Sequence, residues 1–378
     1  MAMKSHEVIV VGAGPGGAIT AYHLARAGIE VVLLERKPLP RSKPCGGGVT
    51  PKTAGVLPFA WQDVVEDTAR RATVTYHLSL NLEWDSPICY MVNRARFDRH
   101  LIEAARAAGA AVIEGEEVAS VVDGPQDVVC RTAGNSYRGK FVVGADGAHS
   151  IVARLFGRPP VRGIAAVAEM AADEETLKRR CGSLEVDFAA VPGGYGWVFP
   201  KQDHLNVGVG CFTTPARPLQ SFLNAYISRL GMGRLRTIRR QAFPMPFDAL
   251  GERTVARGRV ILVGDAAGLA DPFTGEGIYN ACLSGWLAAQ ALRDSGGKAE
   301  RVIRHYQSAV EKEILGEMRL ARRLANVFYG LNHWVLTYLM KRPELLKELW
   351  GQLYTGSHRQ LWRVLKKTVW RGLRSRLF

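Results

Sequence analysis

The chain has 378 residues, 47% of them hydrophobic and 22% charged, and a formal net charge of +15. That is more chain than one hydrophobic core usually supports, so two or three globular domains are expected. The six cysteines, Cys45, Cys89, Cys130, Cys181, Cys211 and Cys282, form no CxxC pair, which argues against a zinc centre or a disulfide scaffold and fits a reducing, cytoplasmic setting without a metal.

MAMKSHEVIVVGAGPGG runs directly into a strand, with no long apolar stretch ahead of a cleavage site, so no signal peptide is expected. EVIVVG (7–12) is an apolar, β-branched run and predicts a buried parallel strand. GGAITAYHLARAG (16–28) predicts a helix ending at Gly28, and IEVVLLE (29–35) a second buried strand, which completes a βαβ unit. VNRARFDRHLIEAARAAGAAV (92–112) predicts a helix feeding a strand. KFVVGADGAHS (140–150) predicts a strand entering a Gly-rich turn, and RVILVGDAAG (259–268) another, continued by a helix over 277–294. These five pieces predict one α/β domain with a parallel sheet of Rossmann type, over 1–70, 93–160 and 246–297. The interruptions, 71–92 and 161–245, hold alternating strand patterns (TVTYHLSLNLEW, GSLEVDFAAV, GWVFP, HLNVGVGCF) and predict a second domain on an antiparallel sheet. From 298 to 378 the pattern is helical and basic.

Gly12, Gly14 and Gly17 spell G-x-G-x-x-G between a predicted strand and a predicted helix. Gly12 allows the tight turn, Gly14 lets a pyrophosphate approach the backbone, and Gly17 lets the helix pack on the strand. The helix N-terminus offers N–H groups and a positive dipole end to the phosphates. Glu35 closes the second strand, where a carboxylate can accept hydrogen bonds from a ribose diol. Two later motifs favour FAD over NAD. GADGAHS puts Asp146 at one strand end, and LVGDAAGLADPFTGEGI puts Asp265 at another, with Gly275 and Gly277 ahead of a helix. An acid there can hold a ribityl chain, and a Gly-rich helix start can present N–H groups to the N1–O2 edge of a flavin. A plain helix cap is the other reading of Asp265.

GAGPGG, GADG and GDAAG, in this order, resemble the flavoprotein group that includes the aromatic hydroxylases and the geranylgeranyl reductases. The resemblance implies that Asp265 meets the ribityl chain, that the stretch after Pro272 meets the isoalloxazine, and that Arg94 lies near the cofactor. Arg96 competes for that last place. KPCGGG (43–48) and PGGYGWVFPKQDHLNVGVG (192–210) are similar to signatures of the geranylgeranyl reductase family, where Y-x-W-x-F-P lines a lipid tunnel beside the flavin. The implied activity is FAD-dependent hydrogenation of isolated C=C bonds in a polyprenyl substrate, with NAD(P)H or ferredoxin as electron donor. Flavin monooxygenases and halogenases are the rivals on this scaffold. Halogenases carry W-x-W-x-I-P, where this chain has Tyr195 and Phe199 at the outer positions.

Tyr195, Trp197 and Phe199 alternate, so they share one strand face and form an apolar wall, whether for a hydrocarbon substrate or for a sandwich core. An isolated alkene has no carbonyl to polarise it, so hydride at one carbon requires a proton at the other. Cys45 and Tyr195 are the candidate donors, with Cys45 as a small spacer the alternative. Gly46 and Gly47 are expected to lie bare against the cofactor and Gly48 against the substrate, with Lys43 a solvated or phosphate-facing charge. Residues 357–378 carry seven Lys/Arg and no Asp/Glu, with Leu361, Trp362, Leu365, Val369, Trp370, Leu373 and Leu377 on one half of a helical wheel. That fits a helix in an anionic membrane interface, or one packed on its own domain. NVFYGLNHWVLTYLM (326–340) is too short and too polar to span a bilayer, and no nucleic-acid partner is expected.

Overall fold

Apolar β-branched runs leave water most completely when both faces of their sheet are covered, and here they form the buried centre of a five-stranded parallel sheet, with Ala111–Glu114 on its more exposed edge. The computed structural model describes residues 4–157, 161–213, 215–247, 254–330 and 332–374. Strands Val260–Leu262, Ser136–Gly144, Lys4–Val11, Val31–Glu35 and Ala111–Glu114 lie in that spatial order, all parallel. Helices Pro15–Arg26, Arg94–Ala107 and Ile278–Asp294 accompany this sheet, close to where the sequence predicts them. Two short strands, Ser120–Asp123 and Val128–Arg131, extend it as an antiparallel hairpin.

The second sheet has seven strands, in the order Thr237–Pro246, Val161–Ala171, His204–Cys211, Gly194–Pro200, Ser183–Asp187, Arg71–Tyr76 and Leu78–Glu83. It is antiparallel except that Ser183–Asp187 runs parallel to Arg71–Tyr76, because these two are brought together from distant stretches of chain. TVTYHLSLNLEW is a hairpin turned at His77, whose φ is 60°. A third sheet of Gly48–Val49, Cys89–Val92 and Val65–Ala69 was not anticipated; its strands are too short to show a period.

The register between Gly194–Pro200 and His204–Cys211 explains why aromatics and glycines recur together in this signature. Tyr195 faces Gly210, and Trp197 faces Gly208. The six-membered ring of Trp197 lies where a Gly208 side chain would begin. Gly208→Ala is therefore expected to displace the indole, with a loss of about 1–3 kcal/mol that thermal unfolding will read. An unchanged melting midpoint would falsify this account of the pairing.

Helix Ala299–Val310 packs on the parallel-sheet domain, where Tyr306 donates to the Leu262 carbonyl at 2.6 Å, and the helices beyond it close over the outer edge of the second sheet. Leu324, Leu336, Leu339, Leu346, Trp350 and Leu361 form one buried cluster with Val74, Leu184 and Val186. Among the described residues, no helix is long and apolar enough to cross a membrane. The last helix, His358–Arg374, uses Leu361 and the half-buried Val364 and Leu365 to pack on the protein itself. Trp362 and Lys366 remain outside, with the ammonium 5.5 Å from the ring centre. Residues 375–378 of the predicted tail lie outside the described residues.

Candidate active site

Strand order reverses between Lys4–Val11 and Ser136–Gly144, and an open α/β sheet offers a crevice at that point. A groove of about 410 Å³ lies there, with Gly12, Gly14, Glu35, Arg94, Asp146 and Asp265 in its walls. Gly17 is not one of its lining residues; a side chain there would run into the Gly12 carbonyl, so it serves helix–strand contact. Gly14 differs from both. Its backbone is extended (φ −76°, ψ 177°), and an added Cβ would come no closer to the protein than 3.9 Å from Arg41. Nothing in the fold demands glycine there, and its bareness leaves the uncapped helix N-terminus open to a phosphate.

Glu35 is buried and already partnered. Its carboxylate accepts from Ala13 N–H at 2.9 Å and Lys37 N–H at 3.1 Å, and Arg41 Nε lies 3.2 Å away. Arg41 also reaches Asp98 at 3.0 Å, and Asp98 holds Arg94 by two bonds of 2.8 and 2.9 Å. Burial pulls the Arg94 guanidinium down, but Asp98 and Cys45 outweigh it and keep it charged. Arg96, the competitor, is exposed and lies 3.5 Å from Glu66. Asp146 turns its carboxylate onto Ser150 Oγ (2.5 Å) and Ile151 N–H (2.7 Å), beyond its own turn; burial raises its pKa. Asp265 Oδ2 faces Lys43 Nζ at 3.2 Å, so Lys43 pairs across the groove.

Beyond the groove lies an apolar chamber of about 160 Å³ whose wall includes Tyr195, Trp197, Phe199, Phe188, Trp350 and Tyr354. The two spaces share Cys45, Phe243, Met245, Gly275, Gly277 and Ile278 in their walls. The aromatic face expected of the strand is present, with successive ring centres 6.1 and 6.2 Å apart. Tyr195 donates its hydroxyl proton to the Thr274 carbonyl at 2.5 Å, and burial pushes its pKa up. That hydroxyl ties the aromatic strand to the loop carrying Gly275.

The glycines of KPCGGG line the chamber, but the structure gives their bareness a different cause from the expected one. A side chain on Gly46 would come within 3.0 Å of Phe199, and one on Gly48 within 3.0 Å of Cys89 Sγ. Gly47, at φ 67°, is crowded by the Val92 carbonyl and by Lys201. The loop is bare so that it can lie flat on the aromatic wall. Two residues that the sequence reading missed hold it there. Asn206 Nδ2 donates to the Cys45 carbonyl at 3.1 Å, while its Oδ1 accepts from Trp197 Nε1 at 2.8 Å. Buried Lys201 donates to the carbonyls of Gly47 (3.2 Å) and Val92 (3.1 Å). Burial pulls the Lys201 pKa down to about 8. Cys45 Sγ accepts from Gly47 N–H at 3.3 Å, and Cys45 favours the charged form of Arg94 beside it.

One side of the chamber is polar. Glu276 accepts from Thr50 Oγ1 (2.6 Å) and Thr53 Oγ1 (3.1 Å) and pairs with Lys52 at 2.6 Å. Burial depresses Lys52, but Glu276 and Asp271 outweigh it and raise its pKa. Asp271 lies 3.2 Å from His358, which anchors the last helix to the loop bearing Gly275. Burial raises the Asp271 pKa, but His358 and Lys52 outweigh it and hold the group low.

Residues 5–188 match the FAD binding domain family, and residues 166–240 match the geranylgeranyl reductase catalytic domain. Digeranylgeranylglycerophospholipid reductase 2 of Methanothermobacter thermautotrophicus is 32% identical over 375 residues, which cover 90% of this chain and 92% of that protein. This chain belongs to the geranylgeranyl reductase family. It is an FAD-dependent oxidoreductase. The reductase also shares its fold with a geranylgeranyl bacteriochlorophyll reductase-like protein of Thermoplasma acidophilum, at a TM-score of 0.74 and 23% identity over 86% of this chain and 88% of that one. A flavin-dependent brominase reaches the same TM-score at 15% identity, covering 97% of this chain and all (100%) of that one. The fold alone therefore does not select the chemistry; the catalytic-domain match over residues 166–240 and the sequence identity to the reductase do.

Proposed function

We propose that the reductase hydrogenates isolated C=C bonds of a polyprenyl lipid, one isoprene unit at a time. The observation that carries this is the apolar chamber opening onto the FAD groove at Cys45. At about 160 Å³ it is close to the cavity of about 150 Å³ known to hold one benzene ring, which suits one isoprene unit. Reduced FAD, when bound, supplies hydride. The chain then has to confine the alkene, exclude water and deliver a proton to the second carbon. We assign that proton to the Cys45 thiol, since the Tyr195 proton is committed to the Thr274 carbonyl. The thiolate left behind is stabilised by the Arg94 guanidinium and regains its proton from solvent.

Anaerobic turnover of a digeranylgeranyl lipid with a chemical reductant, followed by mass spectrometry, tests the activity. Gains of two hydrogens per bond are expected; product that forms only with oxygen consumption would move the assignment to a monooxygenase or halogenase. Cys45→Ala and Cys45→Ser are expected to keep FAD and to lose about 10²–10⁴-fold in turnover. Full activity in both excludes the thiol as donor.

NAD(P)H or ferredoxin is proposed as the physiological donor; comparing the rates of flavin reduction by each separates them. Division into a discontinuous FAD-binding domain (1–70, 93–160, 246–297), a substrate domain (71–92, 161–245) and a helical region (298–378) is proposed with it. We also propose that the chain works at the cytoplasmic membrane face, with 357–378 touching lipid through Trp362 and its basic neighbours. Reversing Arg363 and Lys366 to Glu reads the weight of that contact in vesicle binding.

A further inference from the structure

The helices that roof the chamber have two faces. Inside, Leu336, Leu339 and Met340 of helix Asn332–Met340 pack with Trp350 and Cys89, which line the chamber. Outside, the same helix carries Trp334, 76% exposed, and Tyr338, 42% exposed. The hairpin tip beside it exposes Leu78 at 52%, and helix Gly316–Gly330 exposes Val327 at 53%. The hairpin and the roof helix form one surface. Tyr76 OH lies 3.1 Å from His333 Nδ1, the rings of His77 and His333 are 6.3 Å apart, and His333 and Trp334 are 5.7 Å apart.

A soluble surface has no use for an indole in water, and aromatic groups gathered this way mark a contact. Charge points to what the contact is. Between Glu317 and Glu344 the sequence has no acid, whereas Arg323, Lys341 and Arg342 are basic and exposed. Arg342 lies 3.8 Å from the centre of the Tyr338 ring. Exposed Trp and Tyr with Lys341 and Arg342 beside them is a composition suited to a bilayer interface, where rings sit at headgroup depth and basic groups meet anionic lipid.

We propose that this face, built from Leu78, Trp334 and Tyr338, seats the protein on an anionic lipid bilayer and turns the chamber roof toward the membrane. The proposal rests on the prenyl-lipid reading only for its purpose; its physical basis is the surface itself. It is separate from the tail helix, whose apolar face is partly packed on the protein.

The test uses the full-length FAD-bound protein and vesicles of phosphatidylglycerol and phosphatidylcholine, with pure phosphatidylcholine as control. The wild type is expected to float with the anionic vesicles, and Trp334→Ala/Tyr338→Ala to lose at least about tenfold in partitioning. Acyl-brominated lipid is expected to quench the part of the tryptophan emission that Trp334→Phe removes. Equal flotation of the two proteins, or no quenching of Trp334, overturns the proposal. So does a lipid-free dimer that Trp334→Ala dissolves, which would make the face a self-association surface. Neither readout needs turnover. Vesicle binding without alkene reduction defeats the functional reading and leaves this one standing; reduction of a detergent-dispersed prenyl lipid without vesicle binding does the reverse.

Discussion

Lys201→Met is expected to retain FAD and to lower alkene reduction roughly a hundredfold, the scale of a misplacement of about 1 Å at a reacting group. Methionine nearly matches lysine in length but donates nothing. The carbonyls of Gly47 and Val92 then lose the ammonium that now joins them, at 3.2 and 3.1 Å. Gly47 is two residues from Cys45, and its N–H also donates to the Cys45 sulfur. Freeing that loop moves the sulfur relative to both the groove and the chamber. FAD absorbance together with steady-state rates decides the matter; activity within twofold of wild type would end Lys201's role as a positioning residue. Lys201→Arg keeps charge and donors and should recover part of the rate.

The same residue predicts a pH signature. Burial lowers the Lys201 pKa from 10.5 to about 8. Between those values the unfolded chain binds the proton and the folded chain does not, so stability rises with pH across that window. Lys201 thus gives its full contribution above 10.5 and loses it as pH falls through about 8. At 1.36 kcal/mol per pKa unit the difference is about 3 kcal/mol. Denaturant titrations should therefore show wild type gaining on Lys201→Met from pH 8 to 10.5. A parallel pair of pH profiles counts against a buried, displaced lysine.

The parts of this enzyme that were readable in its sequence are those whose cause is local. Val8 to Val11 and Val31 to Leu34 are apolar without interruption because both faces of their sheet are covered, and period alone reveals that. The G-x-G-x-x-G turn, the aromatic alternation and the helix over Ile278–Asp294 are likewise short-range patterns. What stayed hidden depends on partners far along the chain. Lys201 and Gly47 are 154 residues apart, Asn206 and Cys45 161, and Lys52 pairs with an acid at Glu276. A lone lysine after FP, or an asparagine in HLNVGVG, carries no local sign that it is a clamp. A polar residue in an otherwise buried strand was the available signal, since burial without a partner is costly. The glycines of KPCGGG show the converse. Their crowding was legible, but what crowds them is Phe199, Cys89 and Lys201.

Gly14→Val should separate the fold from the cofactor. Gly12 and Gly17 cannot make that separation, because Gly12 sits at φ 102° against Ala145 and Gly17 meets the Gly12 carbonyl. Replacing either damages the βαβ unit itself. Gly14 has backbone angles that valine adopts readily, and only Arg41, at 3.9 Å, stands near the added Cβ. The isopropyl group would therefore project into the groove, over the N-terminus of helix Pro15–Arg26. That is where a pyrophosphate collects N–H bonds and the helix dipole. The expected outcome is apoprotein with the wild-type circular dichroism spectrum and melting midpoint, but FAD affinity weakened at least about a hundredfold, or about 2.7 kcal/mol. Calorimetric titration of apoprotein with FAD measures it directly. If Gly14→Val binds FAD as wild type does, the cofactor does not cross this turn. If the variant fails to fold, the open space beside Gly14 is needed by the protein, and its glycine carries no information about a ligand.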